Sequence, residues 1–124
     1  MNIEKQILYW HQSSDEDWDV AASLIENSKA RHGLFFIHLS LEKLLKALVC
    51  KITNDIAPRI HNLVRLCEIA NLHPDDSQLD LLAEMNAFNI EGRYPSQILI
   101  PDNKTAKLYL AKANEVRLWI IQQL

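Results

Sequence analysis

Leu34-Phe-Phe-Ile-His-Leu-Ser-Leu-Glu-Lys-Leu-Leu-Lys-Ala-Leu-Val-Cys-Lys-Ile52 is the stretch that decides the fold. Leu34, Ile37, Leu41, Leu44, Leu45, Leu48 and Ile52 recur at steps of three and four. That spacing places them on one broad face of a helix. Neither Gly nor Pro interrupts the run, and a helix of this length extends roughly 28 Å. Such a helix needs apolar partners on several sides, so it is expected at the centre of a bundle. Glu42 and Lys46 stand four apart in the favourable order, which reads as a surface ion pair worth about 0.2–0.5 kcal/mol.

The flanking sequence supplies the partners. Ile3, Ile7, Trp10, Ser14, Trp18, Ala21 and Ile25 keep a helical period. Ser14 and Asp17 could form a capping box at a break, but the stripe holds its phase, which favours one helix from about Asn2 to Ser28. Gly33 is expected to end the connection that follows. Asn54, Asp55 and Pro58 mark a loop, and a short helix is expected from about Asn62 to Asn71, with Leu63, Leu66, Cys67 and Ala70 inward. Pro74-Asp75-Asp76-Ser77 looks like a turn into a fourth helix, its acidic groups near the positive end of the dipole. That helix is expected to run to about Glu91 and stop at Gly92. Residues 93–103 read as a loop, after which Asp102 or Asn103 caps a last helix with Ala106, Leu110, Ala113, Val116, Ile120 and Leu124 inward.

The expectation is one all-α domain over 1–124, an up-and-down bundle of about five helices joined by short connections. Composition agrees. Hydrophobic residues are 48% of the 124, and only two Gly and four Pro are present, too few for a turn-rich β fold. A net charge of −3 argues against a general nucleic-acid binder, although a local basic patch on an acidic body stays open. No apolar run of membrane-spanning length exists, which with two free cysteines, Cys50 and Cys67, fits a cytoplasmic protein without a membrane partner.

Several chemistries lack their residues. Two glycines leave no phosphate-cradling loop or nucleophile elbow. No Cys-x-x-Cys, His-Glu-x-x-His or Glu-x-x-His occurs, so no metal and no cofactor is expected. The remaining candidates are charged. His38 precedes Glu42 by one turn, an arrangement open to an acid–base pair or to a half-buried histidine satisfied by a carboxylate. His61 could satisfy free amides at the head of the third helix. Lys43, Lys46 and Lys51 line the outer side of the central helix in this reading, with Arg59, His61 and Arg65 near in sequence. They form either a solvated face or a phosphate-binding groove. Arg93-Tyr94-Pro95 joins a guanidinium to an aromatic in a stiffened loop, suited to clamping a phosphate and stacking a base, or else to packing on the bundle.

Four ordered motifs resemble one family. Trp10 with Asp17-Trp18 and Ala21-Ala22, Leu41-Glu42-Lys43-Leu44-Leu45-Lys46-Ala47-Leu48, Pro58 to His61 and Leu63, and Arg93-Tyr94-Pro95 are similar to the HEPN (higher eukaryotes and prokaryotes nucleotide-binding) domain over about residues 5–121. The resemblance implies a helical bundle that commonly forms a homodimer. It also implies a role with nucleotide or RNA, often beside a minimal nucleotidyltransferase in a toxin–antitoxin-like pair. The family pattern points to Glu42, Lys43, Lys46, His61, Arg93 and Tyr94. Ribonuclease members carry an Arg and, soon after it, a His at the head of a late helix. Here no histidine follows His73. The chain therefore more resembles the non-catalytic, nucleotidyltransferase-associated subgroup, with a metal-independent endoribonuclease of degenerate Arg/His motif as the alternative. The predicted binding residues are Lys43, Lys46, His61, Arg93 and Tyr94, supported by His38 and Glu42, with no catalytic residue assigned. Phe35, Phe36 and Trp119 offer apolar surface for dimerisation.

Overall fold

The computed structural model describes residues 2–89 and 101–124, which form five α-helices and one 3₁₀ turn. Helix α1 spans Ile3–Glu26, α2 Ala30–Thr53, α3 Leu63–Ile69, α4 Asp76–Met85 and α5 Asn103–Gln123, and the 3₁₀ turn Asn86–Phe88 extends α4. Every other element packs on α2. No strand occurs among the described residues, so the all-helical expectation stands.

Helix starts follow local chemistry. Asn2, Asn62, Asp75 and Asp102 each accept a hydrogen bond from the backbone N–H three residues on, at Lys5, Arg65, Gln78 and Thr105. The Gln78 side chain also accepts from the Asp75 N–H, completing a capping box. Ends are made without glycine. Ser28 and Asn71 take positive φ, and the next N–H, of Lys29 and Leu72, reaches back to the Leu24 and Cys67 carbonyls. This is the Schellman closure, here built on residues that tolerate the left-handed region less easily than Gly. Asn54 ends α2 in the same conformation.

α1 is continuous through Ser13–Asp17, which excludes the capping-box break. Its buried Ser14 instead donates to the Ser40 carbonyl at 2.7 Å while Ser40 Oγ donates to the Ser14 carbonyl at 2.8 Å. The reciprocal pair satisfies both hydroxyls where two small residues let α1 and α2 approach. Gly33 lies inside α2 rather than in the connection, because the helix begins at Ala30 and not at Leu34. A Cβ at Gly33 would stand 2.4 Å from Ile25 Cδ1, so its missing side chain serves helix contact, not a turn.

α4 runs antiparallel to α5, with Phe88 against Tyr109 at one end and Leu81 near Val116 at the other. Lys51 Nζ donates to the Gln123 and Leu124 carbonyls, placing the ends of α2 and α5 together. The core contains Leu34, Ile37, Leu41, Leu44, Leu45 and Leu48 as expected, together with Leu63, Leu66, Ala106, Ala113 and Ile120. Ile52 is the exception at 51% exposed. The fourth helix ends at Met85 rather than near Glu91; Gly92 and most of the following loop lie outside the described residues.

Candidate functional site: a carboxylate shared by lysine and histidine

Glu42 sits on the middle turns of α2, where the chain passes twice. The connection after α2 returns along the helix, so His61, at the head of α3, comes back to it. His61 Nδ1 lies 3.1 and 3.2 Å from the two Glu42 oxygens. Lys46 Nζ, one helical turn on, donates to Glu42 Oε2 at 2.9 Å. Glu42 is only 6% exposed, Lys46 7% and His61 67%.

The Glu42–Lys46 pair is therefore a buried ion pair, not the surface pair that its spacing suggests. Desolvation at this depth makes each charge dependent on the other. Lys46 Nζ also lies 5.4 Å from the centre of the Trp10 ring on α1, within range of a cation–π contact. Sequence reading places Trp10 in the α1 stripe but misses this role, because only the antiparallel packing of α1 on α2 brings the two together.

His38 is buried at 2%, with Nδ1 at 3.8 Å from Glu42 Oε1, too long for a hydrogen bond. Its Nε2 makes no hydrogen bond among the described residues. Burial holds the imidazole below its ordinary value, and the neighbouring Glu42 charge opposes this without overcoming it. His38 is thus more deeply buried than expected and is not a satisfied partner of Glu42.

His61 does not satisfy the amides at the head of α3. Asn62 accepts from Arg65 N–H, and Asn86 of the 3₁₀ turn accepts from Leu63 N–H at 2.8 Å while donating to Asn62. Asn86 carries no motif, and only the fold reveals its bridging position. With the amides served, His61 is left to Glu42 and to solvent.

Lys43 does not belong to this cluster. It reaches Asp17 at 2.8 Å and Ser13 at 2.7 Å on α1. Lys51 binds carbonyls at the end of α5, and Arg65 pairs with Glu68. The expected outer row of lysines is therefore resolved into separate, occupied contacts. At about 100° per residue, Lys46 lies about 60° round the helix from Lys43 and Lys51 about 140° from Lys46, so the three meet different neighbours. Arg93 and Tyr94 lie outside the described residues.

A separate concavity of about 610 Å³ between α4 and α5 is lined by Asp75, Asp80, Glu84 and Glu115 against the single Lys112. Its charge disfavours a polyanion. No group of metal-ligating side chains occurs among the described residues. Nor is any described helix long and apolar enough to cross a membrane.

The fold has solved relatives. The chain superposes on TT1696 from Thermus thermophilus with a TM-score of 0.77 and 16% identity, covering 96% of this chain and 98% of that one. It superposes on ST0689, an archaeal HEPN homologue, with a TM-score of 0.74 and 17% identity, covering 94% and 96%. At such identities the likeness concerns the fold alone. No curated protein matches significantly. The HEPN domain model matches residues 7–124, nearly the whole length in which the four motifs and the Glu42 cluster lie. The chain belongs to the HEPN domain family.

Proposed function

We propose that the protein is a non-catalytic HEPN subunit that binds nucleotide or RNA, forms a homodimer, and pairs with a minimal nucleotidyltransferase in the cytoplasm, in a toxin–antitoxin module. Family membership supports the nucleotide-related class. The single observation that carries the location is the Glu42–Lys46–His61 cluster, in which a buried ion pair holds a largely exposed imidazole toward solvent. His38 beneath it and the Trp10 ring beside Lys46 stiffen the base of the cluster. Arg93 and Tyr94 complete the ligand site in this reading, supplying a guanidinium and a stacking surface. Lys43 contributes indirectly, by fixing α1 against α2 through Asp17.

The test is titration with ATP and with short RNAs, alone and with a candidate minimal nucleotidyltransferase. Binding of a ligand and co-purification with that protein are expected. No binding to either ligand or partner sinks the proposal, and a monomer by light scattering at high concentration removes the dimer from it.

A second reading, metal-independent endoribonuclease, draws on the same geometry. A carboxylate that accepts from Nδ1–H leaves the other imidazole nitrogen free as a base. It requires RNA cleavage that is lost in His61→Ala; cleavage that persists in a His38→Ala, His61→Ala double variant, or none at all, removes it.

A further inference from the structure

The charge balance of the cluster has a consequence for what it can bind. Lys46 is neutralised by Glu42, at 2.9 Å and out of water. Lys43 is neutralised by Asp17 at 2.8 Å. His38 is held toward its neutral form by burial. With His61 neutral, the Glu42–Lys46–His38–His61 group therefore carries no net charge. With His61 protonated it carries one positive charge, on the one member of the group that is mostly exposed.

We propose that this site recognises phosphate anions in a proton-coupled manner, through the protonated form of His61, with up to one proton taken up for each ligand bound. The inference rests on the nucleotide- or RNA-binding reading above and adds its regulation by pH. Buried lysine charge already balanced by a carboxylate offers little attraction to a phosphate, whereas an exposed imidazolium does. The surroundings of His61 are accounted for on each element. Glu42, Lys46 and His38 face it from α2. The neutral Asn86 lies beyond Asn62 on the 3₁₀ turn, and Trp10 of α1 reaches the group through Lys46. On its own segment, Arg65 is paired with Glu68, and Arg59 is exposed with no carboxylate partner among the described residues. Arg59 adds a fixed charge two residues from the switching one.

Both candidate ligand sources share the phosphate chemistry, and both are available as probes whose charge does not itself titrate near neutrality. One is a short single-stranded RNA without terminal phosphates; the other is a dinucleoside 5′,5′-diphosphate. Calorimetric titration of the full chain from pH 5.5 to 8.5, in buffers of different ionisation enthalpy, measures affinity and proton uptake together. The expected result is an affinity that falls as pH rises, by up to about tenfold per pH unit, the limit for one coupled proton. Uptake should approach one proton at the alkaline end.

His61→Gln keeps a donor for Glu42 and should bind weakly with neither pH slope nor proton uptake. Arg59→Gln should weaken binding and keep the slope. Because His61 is largely exposed, His61→Gln should fold, and NMR titration of the His61 ring in the unaltered protein gives an independent reading: saturating probe should move its midpoint to higher pH. Tight binding without pH slope or proton uptake overturns the proton coupling and leaves the binding reading standing. A slope that survives in His61→Gln overturns the assignment to His61. No binding of either probe at any pH removes both.

Discussion

Lys46 and Glu42 show how burial changes the value of one contact. On an open helix the pair is worth a few tenths of a kcal/mol, and losing it costs little. Here both side chains are out of water, so Lys46→Met leaves the Glu42 charge unpaired apart from His61. We expect a loss of about 3–5 kcal/mol in urea unfolding, with much of it recovered in the Glu42→Gln, Lys46→Met double variant. Equal losses in the single and double variants would show that packing of the lysine stem, not its charge, matters. His38 yields a pH prediction. Its folded-state value lies below the ordinary 6.5, so in acid the unfolded chain binds a proton that the native state resists. The stability linked to His38 is complete above 6.5 and declines as pH falls from 6.5 toward the folded value. The melting temperature should therefore drop less between pH 7 and pH 5 in His38→Gln than in the unaltered protein. An identical drop in both would exclude His38 as a source of acid sensitivity.

Among the helices, the α1–α2 pair is held where small residues meet. Gly33→Ala should gain about 1 kcal/mol of helix propensity. It also drives a Cβ into Ile25, whose Cδ1 and Cγ1 stand 2.4 and 2.7 Å away and whose own position in the core leaves little room to retreat. Overpacking of this kind costs about 1–3 kcal/mol, so a net destabilisation is expected. Ile25→Val removes Cδ1 and should relieve part of it, and a double-mutant cycle by chemical denaturation measures the coupling. Additive effects would mean that the helices simply shift apart. The Ser14–Ser40 exchange is a second tie across the same pair. Ser40→Ala removes a second donor from the Ser14 carbonyl, which keeps its place in the α1 helix, so a cost of about 0.5–1.5 kcal/mol is expected in the same assay. The recurrence of apolar residues at steps of three and four predicts both helices well. It does not distinguish a glycine in a connection from one inside a helix, because that depends on what the opposite helix presents.

Across the bundle as a unit, Cys50 and Cys67 report on the integrity of the core. Both are free and buried, and burial pushes the Cys67 thiol up to about 12 and raises Cys50 as well. Since thiolate is the reactive form, a thiol reagent at neutral pH should label neither rapidly in the native protein and both at once in denaturant. Fast native labelling at Cys67 would reveal local opening of α3, the shortest helix.

The class of fold and the family are legible in the order of residues alone. Apolar residues at steps of three and four, a cap at Asp102, and few breakers specify helices and their inward faces, since these follow from local geometry; the caps at Asn62 and Asp75 emerge only in the structure. The family motifs also group Glu42, Lys46 and His61, though together with Lys43, Arg93 and Tyr94. What those charges do is settled by the way the helices pack. Lys43 and Lys46, three residues apart, diverge to Asp17 and to Glu42, and His61, distant in sequence, closes on Glu42 because the α2–α3 connection doubles back. Periodicity records which face a residue occupies. Its depth from water, and the partner that meets it there, depend on helix packing, and these set whether a charge is free to hold a ligand or already neutralised.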